Sequence, residues 1–219
     1  MLPFEQLRSV GPDTPPVALT DLVFSSALRL LVLAPHPDDF DEVCIMLKHF
    51  HDNGNQIHLL VLTGASSGVM DSFVSPPTNQ QKEDIREREQ KNSLSFFGFP
   101  LSQATFLKLP EDPEGELILD DSCRAVVGEI FRDFAPDMLS LPYGDDTNLS
   151  HQRAFSLSRE LAKKSSNPVL ALYHQDPKTV QIRIDAFVEF DQECARWKRE
   201  MLRFHESQHS RNMQTRGYG

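Results

Sequence analysis

The chain has 219 residues, 39% of them hydrophobic and 25% charged, which excludes a disordered chain and favours one α/β domain over two. Asp plus Glu number 32 against 22 Lys plus Arg, a formal charge of −10 that argues against sequence-independent binding of nucleic acid or an anionic membrane and leaves a small neutral or cationic ligand. Cys44, Cys123 and Cys194 are odd in number and form no CxxC, and neither a leader nor a run of about 18 apolar residues appears; a soluble cytoplasmic protein without a disulfide framework is expected.

In chain order, residues 1–20 are rich in Pro and short polar residues and read as an extended arm. Short apolar runs at 28–34, 57–62, 104–109, 138–141 and 169–173 predict buried strands. Helical spacing fills the intervals. A first helix is predicted over about 41–51, stopping at Asp52-Asn53-Gly54-Asn55, and a second over 82–97, ending at Gly98. A third spans about 121–134, with Asp121 or Ser122 as N-cap and Pro136 as stop, and a fourth spans 150–164. The alternating segment 180–190 reads as a strand, a long helix follows over about 191–209, and residues 210–219 form a tail.

Strand followed by helix, repeated with short links, predicts a doubly wound, Rossmann-like α/β domain: a mostly parallel sheet with helices on both faces, then a C-terminal strand and long helix. Ligands of such sheets bind at the carboxyl ends of the strands, which singles out residues 35–39, 63–68 and 142–151.

The first of these segments reads Pro35-His36-Pro37-Asp38-Asp39. Two adjacent carboxylates at the end of a buried strand repel one another, and a bound cation removes that cost. His36 with Asp39 three residues on, in a turn held by Pro37, can direct two ligands at one metal, and mixed imidazole and carboxylate ligation suits an open zinc site. His151, in the polar loop Asp145-Asp146-Thr147-Asn148-Leu149-Ser150-His151, is the natural third ligand. A turn with Asp39 or Asp41 as helix cap is the bland alternative for the first segment. His49, His51 and His58 fall at the opposite end of the sheet, and His174 follows the last short strand.

The segment at 35–39 resembles the signature of the PIG-L/LmbE-like N-acetylglucosaminyl deacetylases, which remove acetyl groups from amino sugars. Arg86-Glu87-Arg88-Glu89 before Phe97-Gly98, the loop at 142–151, and His205-Glu206-Ser207-Gln208 resemble further motifs of that family in the same order. The resemblance implies that His36, Asp39 and His151 hold zinc, or another divalent ion such as Fe2+, Mn2+ or Co2+. It further implies that Asp38 is the general base, that Arg86 contacts substrate, and that the partner is an N-acetylated amino sugar or glycoconjugate. Asp146 is expected to meet the same substrate. Many members have His-x-x-His where this chain has Asn148-Leu149-Ser150-His151. Asn148 can donate a hydrogen bond to an oxyanion but cannot deliver a proton, so Asp38 is expected both to receive and to return one.

Arg86 is balanced between a surface ion pair and substrate contact, and His205 and Gln208 between packing and a place near the site. A metal-binding but catalytically idle sugar-recognition member is the main alternative. A receiver-like phospho-acceptor domain shares the acidic pair, yet the run at 104–109 ends in Leu109-Pro110-Glu111 and not in an acceptor Asp. Nothing in the sequence chooses between a monomer and a homo-oligomer.

Overall fold

The computed structural model describes residues 3–216. In chain order the elements are α1 (Pro3–Arg8), β1 (Val17–Ala18), β2 (Arg29–Ala34), α2 (Asp39–Glu42), α3 (Cys44–Asp52), β3 (Gln56–Val61), α4 (Asn79–Phe97) and β4 (Ala104–Phe106). They continue with α5 (Asp121–Phe134), β5 (Met138–Pro142), α6 (Leu149–Lys164), β6 (Leu170–His174), β7 (Ala186–Phe187), α7 (Gln192–Leu202) and α8 (Glu206–Arg216). Five strands form one parallel sheet in the order β4-β3-β2-β5-β6.

Each strand divides its side chains between two cores, as the period of two requires. Leu30, Val32, Ala34, Leu59, Val61 and Met138 face α2, α3, α4 and α7 through Phe40, Leu47, Phe50, Leu94 and Met201. Leu31, Leu33, Leu60, Leu139 and Leu141 face α5 and α6 through Val127, Phe131, Leu157 and Leu161. The sheet is therefore doubly wound, as the alternation of elements predicts. Its winding reverses between β2 and β5, which pair from Leu30↔Met138 to Val32↔Ser140, and the loops leaving these two strands meet at the crevice so formed.

Several boundaries differ from expectation. The predicted arm contains a helical turn, α1, and then β1, which pairs in parallel with β7; residues 1–2 of the arm lie outside the described residues. The predicted strand 180–190 contracts to Ala186–Phe187, because Val17–Ala18 is all that it pairs with. The helix predicted over 41–51 breaks at Val43 into α2 and α3. The long C-terminal helix breaks likewise between Leu202 and Glu206, and α8 takes up residues 210–216 of the expected tail, 217–219 lying outside the described residues. One interaction underlies both breaks: Asp41 and His205 are drawn together, Nε2 to Oδ2 at 2.6 Å, inside a buried cluster with Gln90 and Ser93. The strand predicted to reach 109 stops at Phe106, and Lys108 turns the chain with φ +48. The cap of α5 is Asp120, which accepts from the Cys123 N–H. Among the described residues no helix is long and apolar enough to cross a membrane.

Candidate active site

The first site segment leaves β2 at Ala34 and turns into α2 within five residues. Asp38 makes the turn with φ 136, a conformation L residues rarely adopt. The turn lets Asp39 fold back: its Oδ2 accepts from the His36 N–H at 2.7 Å and stands 3.5 Å from His36 Nδ1. The second segment arrives from β5. Asn148 caps α6 by accepting from the His151 N–H at 3.1 Å, which sets His151 in the first turn with its ring buried. His151 Nε2 lies 3.6 Å from Asp39 Oδ1, and the two imidazoles are 5.2 Å apart between centroids.

His36, Asp39 and His151 thus bring one ligand atom each to within 4.8 Å of the others. Whether a metal fits can be judged from His151: its Nε2 is buried and makes no hydrogen bond, though it faces a carboxylate oxygen. An orphaned imidazole nitrogen among a carboxylate and a second imidazole is a donor set for a divalent cation. In the absence of an ion a proton takes the same place. Burial works against charge on His151, but Asp39 and Asp146 outweigh it and push its pKa up to about 9. Burial would raise the Asp39 carboxyl too; the charges and hydrogen bonds of His151 and His36 reverse this and hold it well below the usual carboxylate range.

Asp146, expected to meet substrate, stands behind His151. Its side chain is fully buried; Oδ2 lies 3.1 Å from His151 Nδ1, and Oδ1 accepts from the Asn148 N–H at 2.7 Å. Occupying Nδ1 in this way turns Nε2 toward Asp39. Arg86 is neither a surface ion pair nor free in the cavity. It is buried, with Nη2 donating to the Pro37 carbonyl and 3.0 Å from Asp38 Oδ1, while Nε and Nη1 have no hydrogen-bond partner. The Asn148 side-chain oxygen is spent on its cap, so the amide N–H groups are the end it can offer to the cavity.

These groups line a cavity of about 190 Å³ containing His36, Asp38, Asp39, Arg86 and Asn148. Its far wall is the turn at 66–68, held by Gln208 Nε2 donating to the Gly68 carbonyl at 2.9 Å, and Ser207 beside it is fixed by Glu89. The His205 to Gln208 motif therefore packs and borders the site at once. Sequence reasoning missed Glu42 and Asp176, which line the same cavity. Burial and then the adjacent Asp176 carboxyl push Glu42 well above the ordinary carboxylate range. Asp176 joins Asp146 and His151 in a second group of close ligand atoms. Its place two residues beyond β6, at the carboxyl end of the sheet, was the signal available.

The sequence matches the description of the GlcNAc-PI de-N-acetylase family, PIG-L, over residues 31–162, more than half of the chain and both site segments. The chain belongs to the PIG-L family. No curated protein sequence matches it. Among solved structures it is similar to the N,N'-diacetylchitobiose deacetylase of Pyrococcus horikoshii, with a TM-score of 0.66 and 19% identity over 83% of this chain and 71% of that one. It is also similar to GalB, the 4-carboxy-2-hydroxymuconate hydratase of Pseudomonas putida, with 0.65 and 16% over 87% and 88%. A deacetylase in complex with teicoplanin gives 0.63 and 13% over 87% and 94%. At these identities the likeness is one of fold, and this PIG-L member shares its α/β architecture with proteins named as deacetylases and with one named as a hydratase.

Proposed function

We propose that this PIG-L member is a metal-dependent amide hydrolase that removes an acetyl or other acyl group from the nitrogen of an N-acetylglucosamine-type sugar or conjugate. The observation that carries the reading is the approach of ligand atoms of His36, Asp39 and His151 to within 4.8 Å of one another, with Asp38 beside His36 and Asp39 in the cavity wall. His36, Asp39 and His151 would hold a divalent cation, zinc by ligand type with iron, manganese or cobalt also suited, which when bound would supply Lewis acidity toward the amide carbonyl and acidify water. Asp146 sets the His151 ring for that task.

Asp38 takes a proton from the attacking water as the new C–O bond forms. Arg86, 3.0 Å from Oδ1, fixes the direction of that carboxylate. Asn148 donates an amide N–H to the oxygen on which negative charge develops. When the C–N bond breaks, Asp38 returns the proton to the leaving nitrogen, giving a free amine and a carboxylic acid.

The test is amine release by zinc-loaded protein from a panel of N-acetylglucosamine conjugates, with Asp38→Asn alongside. Turnover should fall by about 10²–10⁴ in Asp38→Asn with zinc content unchanged. Near wild-type turnover in that variant would remove Asp38 from the chemistry. One ion per chain with no amine released from any conjugate would instead make the protein a sugar-recognition module. Asn148→His should raise turnover and add a basic limb to the pH–rate profile.

A further inference from the structure

A second cavity, of about 630 Å³, lies between β6, α3 and the segment 182–190 that carries β7. Ile45, Met46, Leu172, Ile182, Ile184 and Val188 give it apolar walls. Its polar residues fall into two groups. Gln175, Arg183 and Asp185 belong to the rim: Gln175 and Arg183 are exposed, and Arg183 Nε donates to Asp185 Oδ1 at 2.6 Å, so that pair answers its own charges. The other group is Glu42, His174 and Lys198.

This second group is incomplete. Lys198 Nζ donates to the main-chain carbonyl of Glu42 and, among the described residues, forms no ion pair, although it is half-buried. The Glu42 carboxyl does not answer it, being bound up with Asp176 and pushed well above the ordinary carboxylate range by burial first and Asp176 second. Both ring nitrogens of His174 are buried and neither makes a hydrogen bond. Burial, with Lys198 adding a smaller push, holds this imidazole's pKa down to about 4, so one nitrogen carries a proton to donate. Buried polar groups are ordinarily satisfied, and a sheltered ammonium ordinarily has a counter-charge.

We propose that this cavity is a binding site for a small monocarboxylate with an apolar body, its carboxylate taken by Lys198 and the His174 N–H and its hydrocarbon part laid against the walls. One ammonium and one imidazole N–H match the two oxygens and single charge of a carboxylate. A dianion would be left under-compensated, since Asp39 and Asp176 also act at His174. A neutral head would leave the ammonium without its counter-charge, and a cation would be repelled by it. Water that accompanies a charged head into such a cavity serves the accepting nitrogen of His174. The site is separate from the candidate ion site and does not depend on the amide-hydrolase reading.

The test is titration of octanoate into zinc-loaded protein carrying ¹³C at the isoleucine methyls. Octanoate should shift Ile45, Ile182 and Ile184 and leave Ile57, Ile85, Ile118 and Ile130 in place, with the same shifts after chelator treatment. Octanamide, which has the shape without the charge, should bind at least about tenfold more weakly. Acetate, which has the head without the body, should bind at least about 100-fold more weakly. Lys198→Met should bring octanoate and octanamide to equal affinity.

Unmoved cavity isoleucines would overturn the inference, as would octanamide or octylammonium binding as tightly as octanoate. Shifts that vanish on chelation would assign octanoate to the ion, and shifts on raising protein concentration alone would assign the cavity to a second copy of the chain; either result sinks the proposal. An undiminished preference for octanoate in Lys198→Met would place the head group elsewhere and overturn it equally.

Discussion

His151 is held at Nδ1 by Asp146, while its unbonded Nε2 faces Asp39 across the candidate ion site. This gives Asp146 a measurable task without contact to substrate. Asp146→Asn retains the shape and can still accept from Nδ1, but it removes the charge that makes Nε2 a strong donor. The zinc dissociation constant should rise about 10- to 100-fold, read by competition with a chromophoric chelator. An unchanged constant would place Asp146 outside the metal's support. The sequence marked His36, Asp38, Asp39 and His151 through residue type and spacing, because clustered acids after a buried strand demand a counter-charge. It misjudged Asp146, since a carboxylate in a polar loop reads as solvent-facing until burial is known. His174 reads in the sequence only as the residue after the expected strand 169–173, because an imidazole's lack of partners is invisible there, and it proves to be the last residue of β6.

At the level of elements, the apolar runs located all five strands of the main sheet, since a strand buried on both faces needs a continuous apolar stretch bounded by turns. The helices of the two faces followed from their periodicity. What periodicity could not supply were the breaks between α2 and α3 and between α7 and α8, because both depend on Asp41 and His205, residues far apart in the chain. Local propensity favours one continuous helix at each place; a buried pair satisfied by Gln90 and Ser93 overrides it. His205→Ala leaves the buried Asp41 side chain without the imidazole that bonds its Oδ2. It should cost about 1–3 kcal/mol in urea unfolding, seen as a lower midpoint at unchanged slope. A loss below about 1 kcal/mol would show that the pair does not hold these helices in place.

Across the whole molecule, buried titrating groups set how stability responds to pH when no metal is bound; Asp39, held well below the usual carboxylate range, adds stability that is lost only as pH falls through the acid range. His151, raised to about 9, contributes fully below its ordinary value near 6.5, and that contribution is lost as pH climbs through 9. Glu42, raised by burial and Asp176, acts in the same sense from its own ordinary value upward. His174, depressed to about 4, acts oppositely, and stability falls as pH drops from 6.5 toward 4. Chelator-treated protein should therefore melt highest on the acid side of neutrality and lose melting temperature steadily toward pH 9. Zinc, which takes the place of the His151 proton, should flatten the alkaline slope. Identical profiles with and without zinc would count against the ion site. The Asp38 backbone, with its φ of 136, adds a different kind of consequence. An L residue in such a conformation costs about 1–3 kcal/mol, and glycine would not bear that cost. Asp38→Gly would relieve that strain but take the carboxylate away from buried Arg86, 3.0 Å distant, a loss of about 3–5 kcal/mol; the variant should therefore melt below the wild type, and a higher melting temperature would show that the strain outweighs the pair. On the hydrolase reading, the tightest point of the turn is also where the proton carrier sits, so the fold bears its backbone strain at the one residue the reaction cannot spare.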